Sequence, residues 1–216
     1  MSRLRLMHVP FAAALLFAAL ALPAVAQPPA EPRNGSVPPE AQADPLLARI
    51  LQAFDRAQRD TSTLIAGFTE RKDLRLLARP VLSRGELYYN RPNQVRWEYL
   101  EPDRKVFVIT EDRYLAYYPA LKRAEEVPIK KFVGKRLFRF IGLGQSIEEL
   151  GKYYEFRLAT QNDLQDTHLL VLVPRKKKLR DRVAEMKIWV DAASHLPRQL
   201  QYVEADGDST LLTFHA

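Results

Sequence analysis

The sequence contains no cysteine. Disulfides, thiolate metal sites and a thiol nucleophile are therefore excluded, and no cysteine is present to carry a lipid anchor. Histidine is scarce, with four residues. His8 falls in the opening segment, and His168, His195 and His215 read as lying on separate strands. None has H-x-x-H or H-E-x-x-H spacing, so no metal is expected. Ser146 follows Gly144-Gln145 and stands in no G-x-S-x-G elbow. Gly142-Leu143-Gly144 lacks the third glycine and the βαβ setting of a phosphate loop. Glu125-Glu126 and Glu148-Glu149 are adjacent pairs, and neighbours on a strand or helix point apart, so neither is an acid–base pair. These absences argue against an enzyme and against a cofactor. Long apolar runs are missing as well, apart from Val9–Leu22, which is too short to span a bilayer.

That run has a purpose. Arg3 and Arg5 precede it, and Ala24-Val25-Ala26 follows as an A-x-A site. Residues 1–26 therefore read as an export signal, with Gln27 first in the mature chain, which places the protein in the periplasm. Residues 27–43 hold Pro28, Pro29, Pro32, Pro38 and Pro39 with Gly35 and Ser36, the composition of an extended linker. The remainder, 44–216, has the length of one domain. The formal charge is +7, of which Arg3 and Arg5 supply two. A basic chain suits nucleic acid, an anionic membrane surface or an acidic partner; export argues against nucleic acid.

Asp44-Pro45 has the form of a helix start, with Asp as the cap and Pro at the first position. Leu46, Leu47, Ile50, Leu51, Phe54 and Ala57 then recur at helical spacing. From Thr63 the period shortens. Strands are expected at 63–72, 73–78, 82–89, 94–100, 104–110, 113–118, 121–127, 153–160, 167–173, 184–191, 197–204 and 208–215. Turns at Arg91-Pro92-Asn93, Glu101-Pro102-Asp103 and Asp206-Gly207-Asp208 separate some of them. Close spacing and tight turns predict an antiparallel meander. Alternation puts Val95, Trp97 and Tyr99 on one face, Tyr154 and Phe156 on a similar face, and Leu87 with Tyr89. The expected result is a sheet with one apolar, aromatic face and an internal cavity, because one helix is short for so long a sheet.

Residues 130–152 break the rhythm. Phe132, Val133, Leu137, Phe140 and Ile141 fit one helical face, ended by Gly142 and Gly144. Ser146 to Glu149 matches a capping box that opens a short helix. Such pieces sit where a lid would sit. Between Val127 and Ile147 the cations Lys130, Lys131, Lys135, Arg136 and Arg139 occur with no acid. Interleaved with large apolar residues, they suit contact with something both apolar and anionic. A second run, Arg175-Lys176-Lys177-Lys178 with Arg180 and Arg182, reads equally as a solvated loop.

An ordered series of short motifs resembles the LolA-like periplasmic lipoprotein carriers. Phe68-Thr69-Glu70 resembles an F-T-Q, with Glu70 in place of Gln. Gly85-Glu86-Leu87-Tyr88-Tyr89-Asn90-Arg91-Pro92-Asn93 resembles a glycine, aromatic strand and R-P turn, and Val95-Arg96-Trp97-Glu98-Tyr99 the strand that follows it. Asp112 to Pro119 resembles a D-G-K-x-L-W-x-Y-x-P hairpin, with Arg113 in place of the glycine. Leu172-Val173-Pro174, Lys187 to Asp191 and Leu196-Pro197 complete the series. The resemblance implies a mainly β fold with α elements (α+β): an incomplete antiparallel β-barrel, a strongly curved sheet closed by an N-terminal helix and a lid helix segment. It implies a monomeric, non-enzymatic carrier in outer-membrane biogenesis. Acyl chains of lipoproteins or related lipids would pass from an inner-membrane ATP-driven transporter to an outer-membrane receptor. Arg91 matches the arginine that tethers the lid and holds the empty form closed. The implied acyl cavity takes in Leu87, Tyr89, Val95, Trp97, Tyr99, Phe132, Leu137, Phe140, Ile141, Tyr154 and Phe156. Lys130, Lys131, Lys135, Arg136 and Arg139 would meet a partner or headgroup. The alternative on the same fold is an envelope sensor or a carrier of a non-protein lipid.

Overall fold

Helix α1 spans Pro45–Asp60. Its start follows from the first two residues: the Asp44 carboxylate accepts from the backbone N–H of Leu46 at 2.9 Å, and Pro45 occupies the first turn. At the other end the Thr61 hydroxyl donates to the carbonyl of Ala57 at 2.8 Å. Ile50, Phe54 and Gln58, four apart, form the buried stripe. Leu46, expected on that stripe, is instead 41% exposed in the first turn. The structure is a computed structural model that describes residues 44–92, 94–128 and 146–215.

Among the described residues eleven antiparallel strands follow. They are β1 Thr63–Asp73, β2 Val81–Asn90, β3 Gln94–Glu101, β4 Lys105–Ile109, β5 Arg113–Tyr118, β6 Arg123–Pro128, β7 Tyr154–Leu158, β8 Thr167–Pro174, β9 Val183–Asp191, β10 Pro197–Glu204 and β11 Ser209–His215. A 3-10 turn covers Pro119–Leu121, and two short helices lie at Ile147–Gly151 (α2) and Lys177–Arg180 (α3). The sheet order is β6-β5-β4-β3-β2-β1-β11-β10-β9-β8-β7. Every neighbour but one is joined by a hairpin. The exception is β1 beside β11, which brings the two ends of the domain into register with Phe68 opposite Phe214. β6 and β7 stand at the two edges and do not pair, so the sheet is open.

Two expectations need correction. Residues 73–78 do not form a strand of their own. Lys72 pairs with Val81, so 74–80 is the turn of the β1–β2 hairpin. That turn is pinned sideways: the Arg75 backbone N–H donates to Asp208 Oδ1 at 2.8 Å and its guanidinium to the carbonyl of Asp206 at 2.5 Å. Among the described residues no strand pairs with it, and Leu76 stays 97% exposed. His195 is not on a strand either; it lies in the β9–β10 connection in the left-handed region, with φ 57°.

One face of the sheet is apolar along nearly its whole width. Cross-strand register puts Leu87 opposite Trp97, Trp97 opposite Phe107, and Val95 opposite Ile109. On the other half Leu200 faces Ile188, Ile188 faces Leu170, and Leu172 faces Phe156. Ile50 and Phe54 of α1 join these side chains in a single core cluster. The opposite face mixes polar residues with exposed apolar ones such as Ile65 and Leu82, and it is covered under the β7–β8 loop. There Leu169 and Trp189 are buried, and the Trp189 indole donates to Asp163 at 2.9 Å.

The N-cap half of the box expected at Ser146 is formed. The Ser146 hydroxyl accepts from the Glu149 backbone N–H at 3.2 Å, and Ile147 N donates to Asp55 of α1 at 2.9 Å. The second basic run is partly structural. Arg175 donates to the carbonyls of Gly151 and Tyr154, each at 3.0 Å, and Arg180 to that of Arg175 at 2.8 Å. The adjacent Glu125 and Glu126 point apart: one pairs with Arg123, the other with Arg113.

Candidate functional site: an aromatic wall with a polar end

The wall follows from the period of two. β3 supplies Val95, Trp97 and Tyr99, which are 1%, 8% and 7% exposed. Phe68 on β1 packs between the last two, with ring centroids 5.0 Å from Trp97 and 5.1 Å from Tyr99. It can do so because Gly85 on the intervening strand β2 has no side chain. A Cβ there would lie 2.0 Å from the Glu98 carbonyl oxygen and 2.7 Å from the Phe68 ring. The row continues through Phe107, 5.9 Å from Tyr99, to Tyr114, stacked on Phe107 at 6.0 Å, and Tyr118 at 6.3 Å. Leu64, Tyr114, Tyr118, Phe156, Leu158, Tyr202 and Phe214 are only partly buried. They leave apolar surface on the inner face that neither α1 nor α2 covers completely.

Leu87, Tyr89, Val95, Trp97, Tyr99 and Tyr154 are thus brought together in one buried cluster, with Phe156 packed against it. Phe132, Leu137, Phe140 and Ile141, and the cations Lys130, Lys131, Lys135, Arg136 and Arg139, lie outside the described residues. Sequence reasoning missed Phe68, Phe107, Tyr114, Tyr118, Tyr202 and Phe214. In Arg113-Tyr114-Leu115-Ala116-Tyr117-Tyr118 apolar residues fall on both faces, so alternation does not choose between them. Ala116, fully buried in the middle of that strand, marks the inner face.

Arg91 sits at the β2–β3 turn. Its backbone N–H donates to the carbonyl of Ser62 at 2.8 Å, and its guanidinium reaches the carbonyl of Gln58 at 3.4 Å. A cation against the last turn of α1 also complements the helix dipole. The residue therefore ties the end of α1 to the sheet.

Polar groups interrupt the wall at one end. The Tyr99 hydroxyl donates to the buried Glu70 carboxylate at 2.9 Å, and Lys72 pairs with Glu70 at 3.3 Å. Lys105 lies directly opposite Tyr99 across β3 and β4 and sets its ammonium over the Tyr99 ring, 4.4 Å from the centroid. Burial, and next the Glu70 carboxylate, push the Tyr99 hydroxyl well above its ordinary pKa. Burial, and next the charge of Lys72, hold Lys105 below the ordinary lysine value. Trp97, next along the same face, keeps a buried indole N–H without an acceptor among the described residues.

The outer face of β3 carries a different network. Glu98, 4% exposed, accepts from Arg96 at 2.5 Å and from Arg104 at 2.9 Å. The hydrogen bond from Arg104 is the main cause that lowers the Glu98 pKa; Arg96 adds to it and burial opposes it. A carboxyl depressed on folding adds stability above its unfolded pKa, about 4.3, and that stability is lost as pH falls through the folded value. Glu98→Gln is expected to cost about 1–3 kcal/mol at neutral pH. Denaturant midpoints should show a gap between wild type and variant at pH 7 that narrows below pH ~4. A gap independent of pH would assign the loss to packing.

The sequence profile of the family described as outer membrane lipoprotein carrier protein LolA matches residues 59–216. Among solved structures, a LolA superfamily protein from Nitrosomonas europaea is similar over 79% of this chain and 91% of its own, at 9% identity and TM-score 0.38. An uncharacterized conserved protein from Thermus thermophilus covers 75% and 82%, at 16% identity and TM-score 0.47. The MucA/MucB complex of Pseudomonas aeruginosa matches over 78% of this chain and 55% of its own, at 15% identity and TM-score 0.44. Comparison with curated proteins gives no significant match.

Proposed function

This chain belongs to the LolA family of outer membrane lipoprotein carriers, and from that premise we propose that it takes up acyl chains on its aromatic inner face and moves them across the periplasm. The family is one of periplasmic carriers, not of enzymes. The observation that carries the proposal is the inner face itself: an apolar wall that reaches from Tyr118 to Phe156, part of it only half-buried, on a sheet whose two described edge strands do not pair with each other. In this reading residues 1–26 are the export signal and 27–43 the linker. An ATP-driven transporter in the inner membrane loads the carrier, and an outer-membrane receptor unloads it. Phe132, Leu137, Phe140 and Ile141 extend the apolar wall, and Lys130, Lys131, Lys135, Arg136 and Arg139 meet the membrane or the partner. The cargo is the acyl part of a lipoprotein or a related lipid.

Energetics sets what such a carrier needs. Each buried CH₂ contributes about 0.8 kcal/mol, so one long chain is worth on the order of 10 kcal/mol. Release then requires a competitor for the wall, and a closing element supplies one. The direct test is displacement of an uncharged, environment-sensitive dye from the purified mature protein by acyl ligands. Failure of every acyl ligand to displace the dye would overturn the carrier reading.

Arg91 provides a second test. Loss of its bond to α1 should shift the open–closed balance by about 1 kcal/mol, roughly fivefold. Arg91→Leu is expected to load from inner-membrane vesicles as well as or better than wild type and to release to outer membranes several-fold more slowly. One equilibrium governs both rates, so the two changes must appear together. Wild-type loading and release would return Arg91 to an ordinary turn residue.

A further inference from the structure

The polar end of the wall is built from residues far apart in sequence. β1 supplies Glu70 and Lys72, β3 supplies Tyr99, and β4 supplies Lys105, all on the inner face. Glu70 spends its charge on Lys72 and its lone pairs on Tyr99. Among the described residues no carboxylate stands at ion-pair distance from Lys105; an aromatic ring is what its ammonium rests on. Asp103 and Glu204 act on the two lysines only from farther off. Within ion-pair distance two ammonium groups thus share one carboxylate, and the Lys105 charge has no direct counterion among the described residues.

A wall that served only neutral acyl chains would gain nothing from that charge. Burying a half-neutralised pair of lysines costs free energy, and apolar side chains of similar size would avoid the cost. Lys72 already disfavours the charged form of Lys105. An anion placed between the two would relieve that repulsion. It would leave the apolar tail to run along the aromatic wall, past Phe107 toward the partly buried Tyr114 and Tyr118.

We propose that Lys72 and Lys105 form a headgroup site for an acyl ligand that ends in a single anion, a carboxylate or a phosphate monoester. The site rests on the carrier reading and narrows it. It selects among lipids by the charge at the end of the chain, and it favours an acidic lipid over the neutral acyl anchor of a lipoprotein. The chain length is read by the aromatic wall, the charge by the two lysines.

The test uses the mature protein, an uncharged environment-sensitive dye, and three ligands of equal chain length: dodecanoate, dodecyl phosphate and dodecanol. Both anions are expected to displace the dye at about tenfold lower concentration than dodecanol, the size of a charge-assisted hydrogen bond. Lys105→Met should bring the three ligands to within about twofold of one another. Glu70→Gln removes the acid of the cluster and should widen the preference for anions, an effect that mere loss of folding cannot produce. Inorganic phosphate at millimolar concentration is expected to leave the preference intact. If it abolishes the preference, the site takes free anions and the lipid assignment falls. Equal displacement by all three ligands in the wild type would overturn the headgroup site and leave the carrier standing. Displacement by none would remove the carrier reading, and the headgroup site with it.

Discussion

Gly85→Ala is expected to lower the melting temperature by about 6 °C or more, because one methyl group has nowhere to go. At this position the β2–β3 register shifts: Arg84 faces Glu101, and Gly85 faces Tyr99. The shift presses the two backbones together, so that an added Cβ would lie 2.0 Å from the Glu98 carbonyl oxygen. Phe68 presses from the neighbouring strand, with ring atoms at 2.7 and 2.8 Å. Overpacking of a core costs about 1–3 kcal/mol when side chains can move aside. Here the nearest atom is backbone, so the cost should reach about 3 kcal/mol or more, at roughly 2–4 °C per kcal/mol for a domain of this size. Phe68→Leu added to Gly85→Ala relieves the ring contact but not the carbonyl contact, and should restore only part of the loss. A melting temperature within about 2 °C of wild type for the single variant would show that the strands shift apart freely. The consequence for function is local. Gly85 is what lets Phe68 lie over β2 and lets Tyr99 reach Glu70, so the variant should also disturb the aromatic wall and its polar end.

Phe54→Ala is expected to have an effect of similar size on stability and the opposite effect on capacity. Phe54 is fully buried and belongs to the core cluster that α1 shares with the inner face. Removing a buried phenylalanine side chain costs about 3–5 kcal/mol, part transfer and part cavity. Thermal unfolding should shift down by about 10 °C. The space left behind is apolar and adjoins the wall, so binding of an uncharged dye or an acyl ligand should hold or increase where the protein is folded. Leu46→Ala, at an exposed position of the same helix, should change stability by less than ~0.5 kcal/mol. Weaker acyl binding by folded Phe54→Ala would mean that α1 is part of the binding surface and does not merely cover it.

The aromatic strand 94–101 could be read directly from the sequence, because its alternation is unbroken and its face follows from a period of two. The start of α1 was equally legible, since Asp44 and Pro45 act on the backbone within one turn. Capping at Ser146 is local for the same reason. The hairpin order of the sheet followed from short turns, which leave adjacent strands little choice of partner. The pairing of β1 with β11 did not follow: 146 residues separate Thr69 from His215, and nothing in either segment names the other. For the same reason the group of Glu70, Lys72, Tyr99 and Lys105 was invisible in the sequence, although each residue stood in a readable strand. Charge on an inner-facing strand position looks like an error of alternation until the neighbouring strands supply its partners. Residues 73–78 show the reverse case. Their apolar composition permits a strand, but hydrogen bonding requires a partner, and the β1–β2 register closes before they are reached. Sequence by itself determined which faces are apolar and where the chain turns, because those are set within a few residues. Only the tertiary structure decided which side chains share the wall and where its charge lies, because register between distant strands is set by the packing of the whole sheet.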